Sequence, residues 1–159
     1  MRIEKWQIRF IQLLAVAGML VAFFLYLFHE GSLVGVCSAS GWDDCGQVSG
    51  PDAPYAAIGP IPVALIGLVG YVFIFLLTWL QDWLPIIEDY MPELMIGTTA
   101  LAFLFTLGLT GLELFVIHAI CRYCVISAVI VTIMFALSVS YLREVNQAVA
   151  GREQLAIGD

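Results

Sequence analysis

The sequence predicts an all-α integral membrane protein, a bundle of four transmembrane helices with a long external first loop that carries a cysteine pair. Of its 159 residues, 62% are hydrophobic and only 12% are charged, with a mean hydropathy of +0.98. A soluble domain of this size needs a polar surface that such a composition cannot supply. Four apolar runs are close to, or longer than, the roughly 20 residues that a membrane-spanning helix needs. The basic residues, in addition, gather at the two chain ends.

The four spans account for most of the chain. We expect them at residues 10–28, 61–80, 94–120 and 123–141, with an external loop over 29–60 and a polar cytoplasmic tail over 142–159. This layout makes residues 1–159 one domain. The first span is too long for the apolar part of a signal peptide, and no small-residue cleavage site follows it. The net charge of −7 would repel phosphate, which argues against nucleic-acid binding.

The charges predict the orientation of the bundle. Five of the six basic residues precede the first span or follow the last one: Arg2, Lys5, Arg9, Arg143 and Arg152. Residues 29–60 contain no lysine or arginine. By the positive-inside rule, both termini are cytoplasmic and the first loop is external. Arg122, at the external start of the fourth span, is an exception that its place inside a cysteine motif can explain.

All four cysteines fall on the external side in this topology. Cys37 and Cys45 lie in the first loop, and Cys121 and Cys124 open the fourth span. The external side is oxidising in bacteria, and an even number of cysteines there favours disulfide chemistry. On a helix, residues three apart place their Cα atoms about 5 Å apart, within the range of a disulfide. The helix dipole favours a thiolate at Cys121, which we expect near water, while Cys124 faces apolar surroundings.

Two cysteine pairs on one side of the membrane suggest an electron relay. A dithiol that contacts a bulky protein in water cannot also abut an acceptor dissolved in lipid. Two pairs can divide these tasks by thiol–disulfide exchange between them. The loop pair would meet the protein partner, and the helix pair would meet a lipid-soluble two-electron acceptor, for which a quinone is the natural choice.

Two ionisable residues precede the second pair and are candidate modulators of its chemistry. Glu113 lies inside the third span, where a carboxylate is costly unless it is paired or protonated. It either acts in the chemistry or fixes helix packing through a hydrogen bond. A continuous helix would place it about 12 Å from Cys121. His118, one turn before Cys121, either raises the thiolate fraction of that cysteine or is a bystander at the membrane interface.

These features resemble the vitamin K epoxide reductase family. The resemblance rests on the four spans, the Cys37-x7-Cys45 pair after the first span and the Cys121-x2-Cys124 pair opening the fourth. The segments GPIPVALIGLVGY at 59–71 and LELFVIHAICRYC at 112–124 are similar to its bacterial branch, and the resemblance covers about residues 8–142. It implies a four-helix bundle around a quinone pocket, in a bacterial or archaeal cytoplasmic membrane.

The resemblance also implies the partners and the role of each cysteine. Bacterial members oxidise thioredoxin-like proteins of the cell envelope and reduce ubiquinone or menaquinone, and no metal is expected. By position, Cys124 would contact the quinone. Cys121 would pair with Cys124 and exchange with Cys45, and Cys37 would meet the protein partner. This chain stops after the fourth span, so its thioredoxin-like or DsbA-like partner would act in trans.

Three further positions are expected around the quinone. Val63 and Ala128 fall where the animal enzymes place the Asn and Tyr that hydrogen-bond vitamin K. Neither side chain can donate a hydrogen bond, so plain quinone reduction is expected rather than reduction of vitamin K epoxide. Ile66 is expected across the bundle from Cys124, as part of an apolar pocket.

Two alternatives stay open, one in the same class of enzyme and one in a different class of protein. A DsbB-type disulfide oxidase has the same number of spans and also uses quinone, but it carries its C-x-x-C in the first loop, the reverse of the order here. A non-enzymatic four-helix membrane protein could use the four cysteines to bind zinc or to form static disulfides. Metal analysis, and thiol counting after addition of a quinone, would distinguish that class from an oxidoreductase.

Overall fold

The computed structural model describes residues 2–32 and 44–157, and their side chains except at 2–5, 85–89, 152, 153 and 155–157. In chain order the elements are α1 (Arg2–His29), α2 (Cys45–Ser49), β1 (Ala57–Ile58), β2 (Ile61–Pro62), α3 (Val63–Leu80), α4 (Pro85–Leu112), a π-helical turn (Glu113–Ile117) and α5 (Arg122–Ile157). Within the described residues, four segments are long and apolar enough to cross a membrane: Trp6–His29, Val63–Leu80, Tyr90–Ile117 and Arg122–Gly151. The predicted all-α membrane fold is confirmed.

The long helices pack unevenly around the bundle. Helix α1 packs along both α3 and α5, and α4 packs along α5, whereas α3 and α4 make few contacts with each other. The core between them is filled by apolar side chains from all four helices: Ile11, Ala15, Ala22, Tyr71, Ile74, Met91, Met95, Ile130, Val131 and Met134. Close packing of this kind is what holds helices together in lipid. The weak contact between α3 and α4 leaves a gap on one side of the bundle.

Two polar contacts lie at the end of the bundle opposite the cysteines. Near the start of α1, the Arg9 guanidinium donates to the Asp82 carboxylate at 3.1 Å, in the connector between α3 and α4. Gln7 Nε2 donates to Glu144 Oε1 of α5 at 3.0 Å. The Arg9–Asp82 pair is largely exposed, so it contributes little stability. The two contacts do bring the N-terminal end of α1, the α3–α4 connector and the C-terminal part of α5 to one end.

The second span begins later than predicted because a β-hairpin precedes it. Ala57 pairs with Pro62, and Ile58 pairs with Ile61, in antiparallel register. Gly59 has a φ of +63°, as the first position of a two-residue II′ turn requires. Helix α3 therefore begins at Val63 and not at residue 61.

The third helix begins and ends earlier than the predicted span of 94–120, and the fourth is longer than predicted. Helix α4 begins at Pro85 rather than at residue 94, because a proline fits the first helical turn, where its missing N–H has no intrahelical partner. Pro92 lies inside the helix, where it removes one donor from the ladder. Helix α5 continues to Ile157, so the predicted polar tail is helical over most of its length. The contact of Glu144 with Gln7 holds the first part of that extension against α1.

Candidate redox active site

A turn of irregular backbone brings the third span back toward the bundle end. Helix α4 runs into the π-helical turn Glu113–Ile117, a conformation that is often found at functional sites. His118 then adopts a left-handed conformation (φ 54°, ψ 30°), and its Nδ1 hydrogen-bonds to the Val116 carbonyl at 3.3 Å. The chain reverses here, and Ala119 and Cys121 turn inward, with exposed fractions of 3% and 0%.

This reversal changes the expected position of Glu113. The chain between Ile117 and Arg122 is not helical, so the distance of about 12 Å expected for a continuous helix is wrong. Instead, the Glu113 carboxyl accepts a hydrogen bond from the backbone N–H of Cys121 and contacts the Cys124 thiol. Its side chain is buried, with 6% exposed. The third span thus contributes a carboxyl group directly to the cysteine pair.

Cys121 occupies the N-cap of α5. Its carbonyl accepts the Val125 N–H at 3.0 Å, the first hydrogen bond of that helix. Its sulfur accepts from the backbone N–H groups of Tyr123 and Cys124, in the way that a serine or aspartate oxygen caps a helix. Cys121 is fully buried beneath α2, so the expectation that it lies near water is wrong.

Hydrogen bonds to sulfur make Cys121 unusually acidic. The largest effect is a hydrogen bond from the Cys124 thiol, and further bonds come from the Cys124 backbone, the Cys45 thiol and the Tyr123 backbone. Burial acts in the opposite direction. The balance lowers the pKa of the Cys121 thiol from 9.0 to about 6. The first proton therefore leaves the reduced pair from Cys121, while Cys124 keeps its own.

Helix α2 carries the loop cysteine that contacts this pair. Cys45 is the first residue of α2, and the Asp44 side chain caps the helix by accepting from the N–H groups of Gly46 (3.0 Å) and Gln47 (3.2 Å). Cys45 is 1% exposed and contacts Cys121 through its thiol. The structure therefore brings Cys45 and Cys121 together. Cys37 lies outside the described residues.

Cys124, one turn further along α5, is the sulfur that faces a cavity. It is half-buried and lines a cavity of about 680 Å³ inside the bundle. Its Sγ lies 3.8 Å from the Ser49 Oγ of α2, and it contacts the Glu113 carboxyl. Three elements thus meet at this sulfur: α2, the π-helical turn and α5.

The cavity is apolar along most of its wall and reaches the surface of the bundle. Its volume falls within the range typical of small-molecule sites. Val69, Phe73 and Leu101 line it at the gap between α3 and α4 and are 62%, 50% and 70% exposed. In a membrane these side chains would face hydrocarbon. The gap therefore connects the cavity with the hydrocarbon and gives an apolar ligand a route into the bundle.

The hydroxyl groups of Tyr71 and Ser127 form a polar site in the mostly apolar wall of the cavity. The Tyr71 hydroxyl lies 2.7 Å from the Ser127 Oγ and donates to the Ser127 carbonyl at 3.3 Å. Both residues line the cavity, and the Tyr71 ring packs against Gly18 of α1, where a side chain would clash. Sequence reasoning missed this pair. Ser127 follows Cys124 by three residues, a spacing that places both on one helix face and could have revealed it.

The other predicted site residues are divided between two surfaces. Val63 and Ile66 line the cavity with Cys124. Ala128 lies instead in a separate shallow groove, because the cavity meets the side of α5 that carries Ser127. His118 is exposed, and its ring bonds to the backbone of its own turn rather than to the thiols.

The described residues contain no group of three or more His, Cys, Asp or Glu side chains that could hold a metal ion. A search of curated protein sequences gave no match. The family model described as the vitamin K epoxide reductase family matches residues 9–139, most of the chain and all three described cysteines. Together with the four-helix membrane fold, this match shows that the chain belongs to the vitamin K epoxide reductase family.

Proposed function

We propose that the protein is a quinone-coupled thiol oxidoreductase that generates disulfides. It takes electrons from a reduced thioredoxin-like protein of the cell envelope and passes them to ubiquinone or menaquinone. One observation carries this proposal: Cys45 contacts Cys121, Cys121 contacts Cys124, and Cys124 lines a cavity that reaches the lipid-facing surface. Sulfur atoms in this order connect an aqueous loop to a lipid-soluble oxidant.

The exchange steps follow from these contacts. The Cys45 thiolate attacks Cys121 of a Cys121–Cys124 disulfide, so a Cys45–Cys121 bond forms and Cys124 leaves as a thiolate beside the cavity. Cys37 then attacks Cys45, which closes a loop disulfide and releases Cys121. The loop disulfide oxidises the partner protein, and quinone reoxidises the Cys121–Cys124 dithiol. The acidity of Cys121 makes it a good leaving group in the second step.

The acceptor is proposed from the shape and chemistry of the cavity. Val63 and Ile66 offer an apolar wall, and Ala128 lies outside the cavity. The Tyr71–Ser127 hydroxyl pair is then the polar group that can donate to a quinone oxygen, if one hydroxyl turns away from its present partner. These features suit simple quinone reduction and do not supply the Asn and Tyr used for vitamin K.

The orientation is part of the proposal. With the basic N-terminal segment on the cytoplasmic side, the cysteine end of the bundle faces the envelope. Arg9 lies at the end opposite to Cys45 and Cys121, which supports this arrangement. The thiol partner would then reach the loop cysteines from the oxidising side.

The test is quinone reduction by the purified protein with a reduced thioredoxin-like protein as the electron donor. Wild type should reduce a soluble quinone analogue and oxidise the donor in equal amounts. In Cys121→Ala, the Cys124 thiolate should remain beside the quinone and give a coloured charge-transfer band. In Cys124→Ala, a stable Cys45–Cys121 disulfide should accumulate without colour. Colour in Cys124→Ala instead would exchange the two roles, and the absence of turnover in wild type would refute the function.

A further inference from the structure

The carboxyl of Glu113 is the acidic group in direct contact with the reacting sulfurs. It is buried, and it touches the Cys124 thiol and the Cys121 N–H at once. The two groups that act on its charge are Cys121 and Cys124, and neither is a cation. An ionised carboxyl at membrane depth is unfavourable in free energy unless a cation pairs with it. An amide could accept the same hydrogen bonds from Cys121 and Cys124, but it could not take up a proton.

The cysteine pair itself creates a need for a base at this position. The Cys121 thiol has a lowered pKa, so the reduced pair holds its remaining proton on Cys124. Cys124 is also the sulfur that faces the cavity. It must lose that proton before it can give electrons to an acceptor, because the thiolate is the reactive form. Water has poor access to this point, since α2 covers Cys121 and the cavity wall is apolar.

We propose that Glu113 is the catalytic base that accepts the proton of Cys124 during oxidation of the pair and passes it to the acceptor. This inference rests on the proposed function. In the step, a bond forms between the two sulfurs, the S–H bond of Cys124 breaks, and two electrons pass to the quinone. One quinone oxygen takes the Cys124 proton by way of Glu113, and the other takes a proton from solvent, because Cys121 already reacts as a thiolate.

The position of Glu113 suits a transfer in both directions. The same carboxyl lines the cavity in which the quinone would lie, so its proton has a short path to the acceptor. General bases in direct contact with the reacting group contribute about 10²–10⁴-fold in rate. Among the described residues, the titratable groups that face the carboxyl or share its cavity are Cys121 at the N-cap of α5, Cys124 of α5, Cys45 of α2 through Cys121, His29 of α1, Tyr55 before β1 and Tyr71 of α3.

The test measures one turnover of the pre-reduced full-length protein with a soluble quinone analogue across a range of pH. Glu113→Gln keeps the size of the side chain and removes the base. At neutral pH it should slow disulfide formation by about 10²–10⁴-fold. The loss should shrink as the pH rises, because hydroxide, despite its poor access to Cys124, then becomes concentrated enough to replace the missing base. Glu113→Asp should recover part of the rate, and Glu144→Gln, a carboxyl-to-amide change at the opposite end of the bundle, should keep the wild-type rate.

The outcomes separate this inference from the function on which it rests. If wild type does not reduce the quinone, the proposed function itself fails. If wild type turns over and Glu113→Gln matches it, or is slowed equally at every pH, the carboxyl is not the base. In a Cys124→Ala background, the Cys121 thiolate can attack Cys45 of a Cys37–Cys45 disulfide, which forms a trapped Cys45–Cys121 bond and releases the Cys37 thiolate. This exchange should proceed at the same rate with and without the Glu113→Gln change, which would show that the site is still folded.

Discussion

Four hydrogen-bond donors surround the sulfur of Cys121, and this single residue controls the acidity of the pair. Two of them are thiols, from Cys124 and Cys45, and two are backbone N–H groups in the first turn of α5. The N-terminal position adds the favourable field of the helix dipole. A stabilised thiolate also stabilises the reduced pair relative to its disulfide, so the Cys121–Cys124 disulfide should be a strong oxidant.

The first prediction follows from the pKa of Cys121. In reduced wild type, ultraviolet thiolate absorbance should rise with a midpoint at a pH of about 6, well below the ordinary value of 9.0. The pKa is depressed in the folded state, so the Cys121 thiolate stabilises the folded protein fully above pH 9. This stabilisation is lost as the pH falls through about 6. Cys121→Ser should remove this transition. Cys124→Ala should move it upward, because the largest stabilising hydrogen bond is gone. A wild-type midpoint near 9 would contradict the assignment.

At the scale of the elements, the contact between α1 and α3 positions the polar site of the cavity. Gly18 of α1 leaves room for the Tyr71 ring, whose hydroxyl then reaches Ser127 of α5. This one close approach links three helices. Because Tyr71 and Ser127 both line the cavity, a shift of α1 against α3 would move the hydroxyl groups in its wall.

A second prediction concerns this contact. Gly18→Ala would place a Cβ atom against the Tyr71 ring and force one helix or the ring to move, a type of overpacking that costs about 1–3 kcal/mol. The variant should unfold at a lower temperature and show a raised KM for the quinone analogue. Gly108→Ala is the matched control, because an added Cβ there meets no atom within 4 Å. That control should be neutral, or stabilising by up to about 1 kcal/mol. Equal behaviour of the two variants would show that Gly18 has no special role.

At the scale of the whole molecule, the described cysteines and Arg9 lie at opposite ends of the bundle. The described cysteines cluster with α2 and the π-helical turn, while Arg9 and the α3–α4 connector form the other end. Trp83, in that connector, is 78% exposed, and Glu30, at the cysteine end of α1, is also exposed. These two positions can therefore report which end faces which compartment.

The third prediction uses them as a matched pair in a cysteine-free background. In intact cells, a membrane-impermeant maleimide should label Glu30→Cys and leave Trp83→Cys unlabelled until the membrane is opened. The expected difference follows from the positive-inside rule applied to the N-terminal segment. The reverse pattern would put the cysteine end in the cytoplasm, and it would exclude an envelope protein as the electron donor.

The sequence was sufficient for features that depend on local pattern alone. Hydropathy located the four spans, and the three-residue spacing of Cys121 and Cys124 placed them at the start of one helix. The sequence did not predict the helix start at Pro85, since a proline is also common in connectors between helices. The contact of Glu113 with the thiols could not be predicted, because it depends on a π-helical turn and on a left-handed His118. A histidine in that sequence gives no signal of either.

Features that depend on the rotation of one helix against another could not be predicted from the sequence either. Ala128 and Ser127 are adjacent in sequence, yet only Ser127 faces the cavity. A small change in the rotation of α5 would reverse this. The same rotation, together with the absence of a side chain at Gly18, decides that Tyr71 meets Ser127. The packing of the whole bundle, and not any single segment, determines which of these side chains face the cavity.

The gap between α3 and α4 has a consequence for how the rate should be measured. The exposed side chains of Val69, Phe73 and Leu101 lie at its edge, so the cavity opens sideways. The quinone of the proposed function would then be drawn from a two-dimensional pool in the lipid. The relevant concentration is then the mole fraction of quinone in the lipid. In proteoliposomes, dilution with buffer should leave the turnover number unchanged at a fixed supply of reductant. Fusion with quinone-free vesicles should lower it, although the amount of quinone per volume of buffer would be the same.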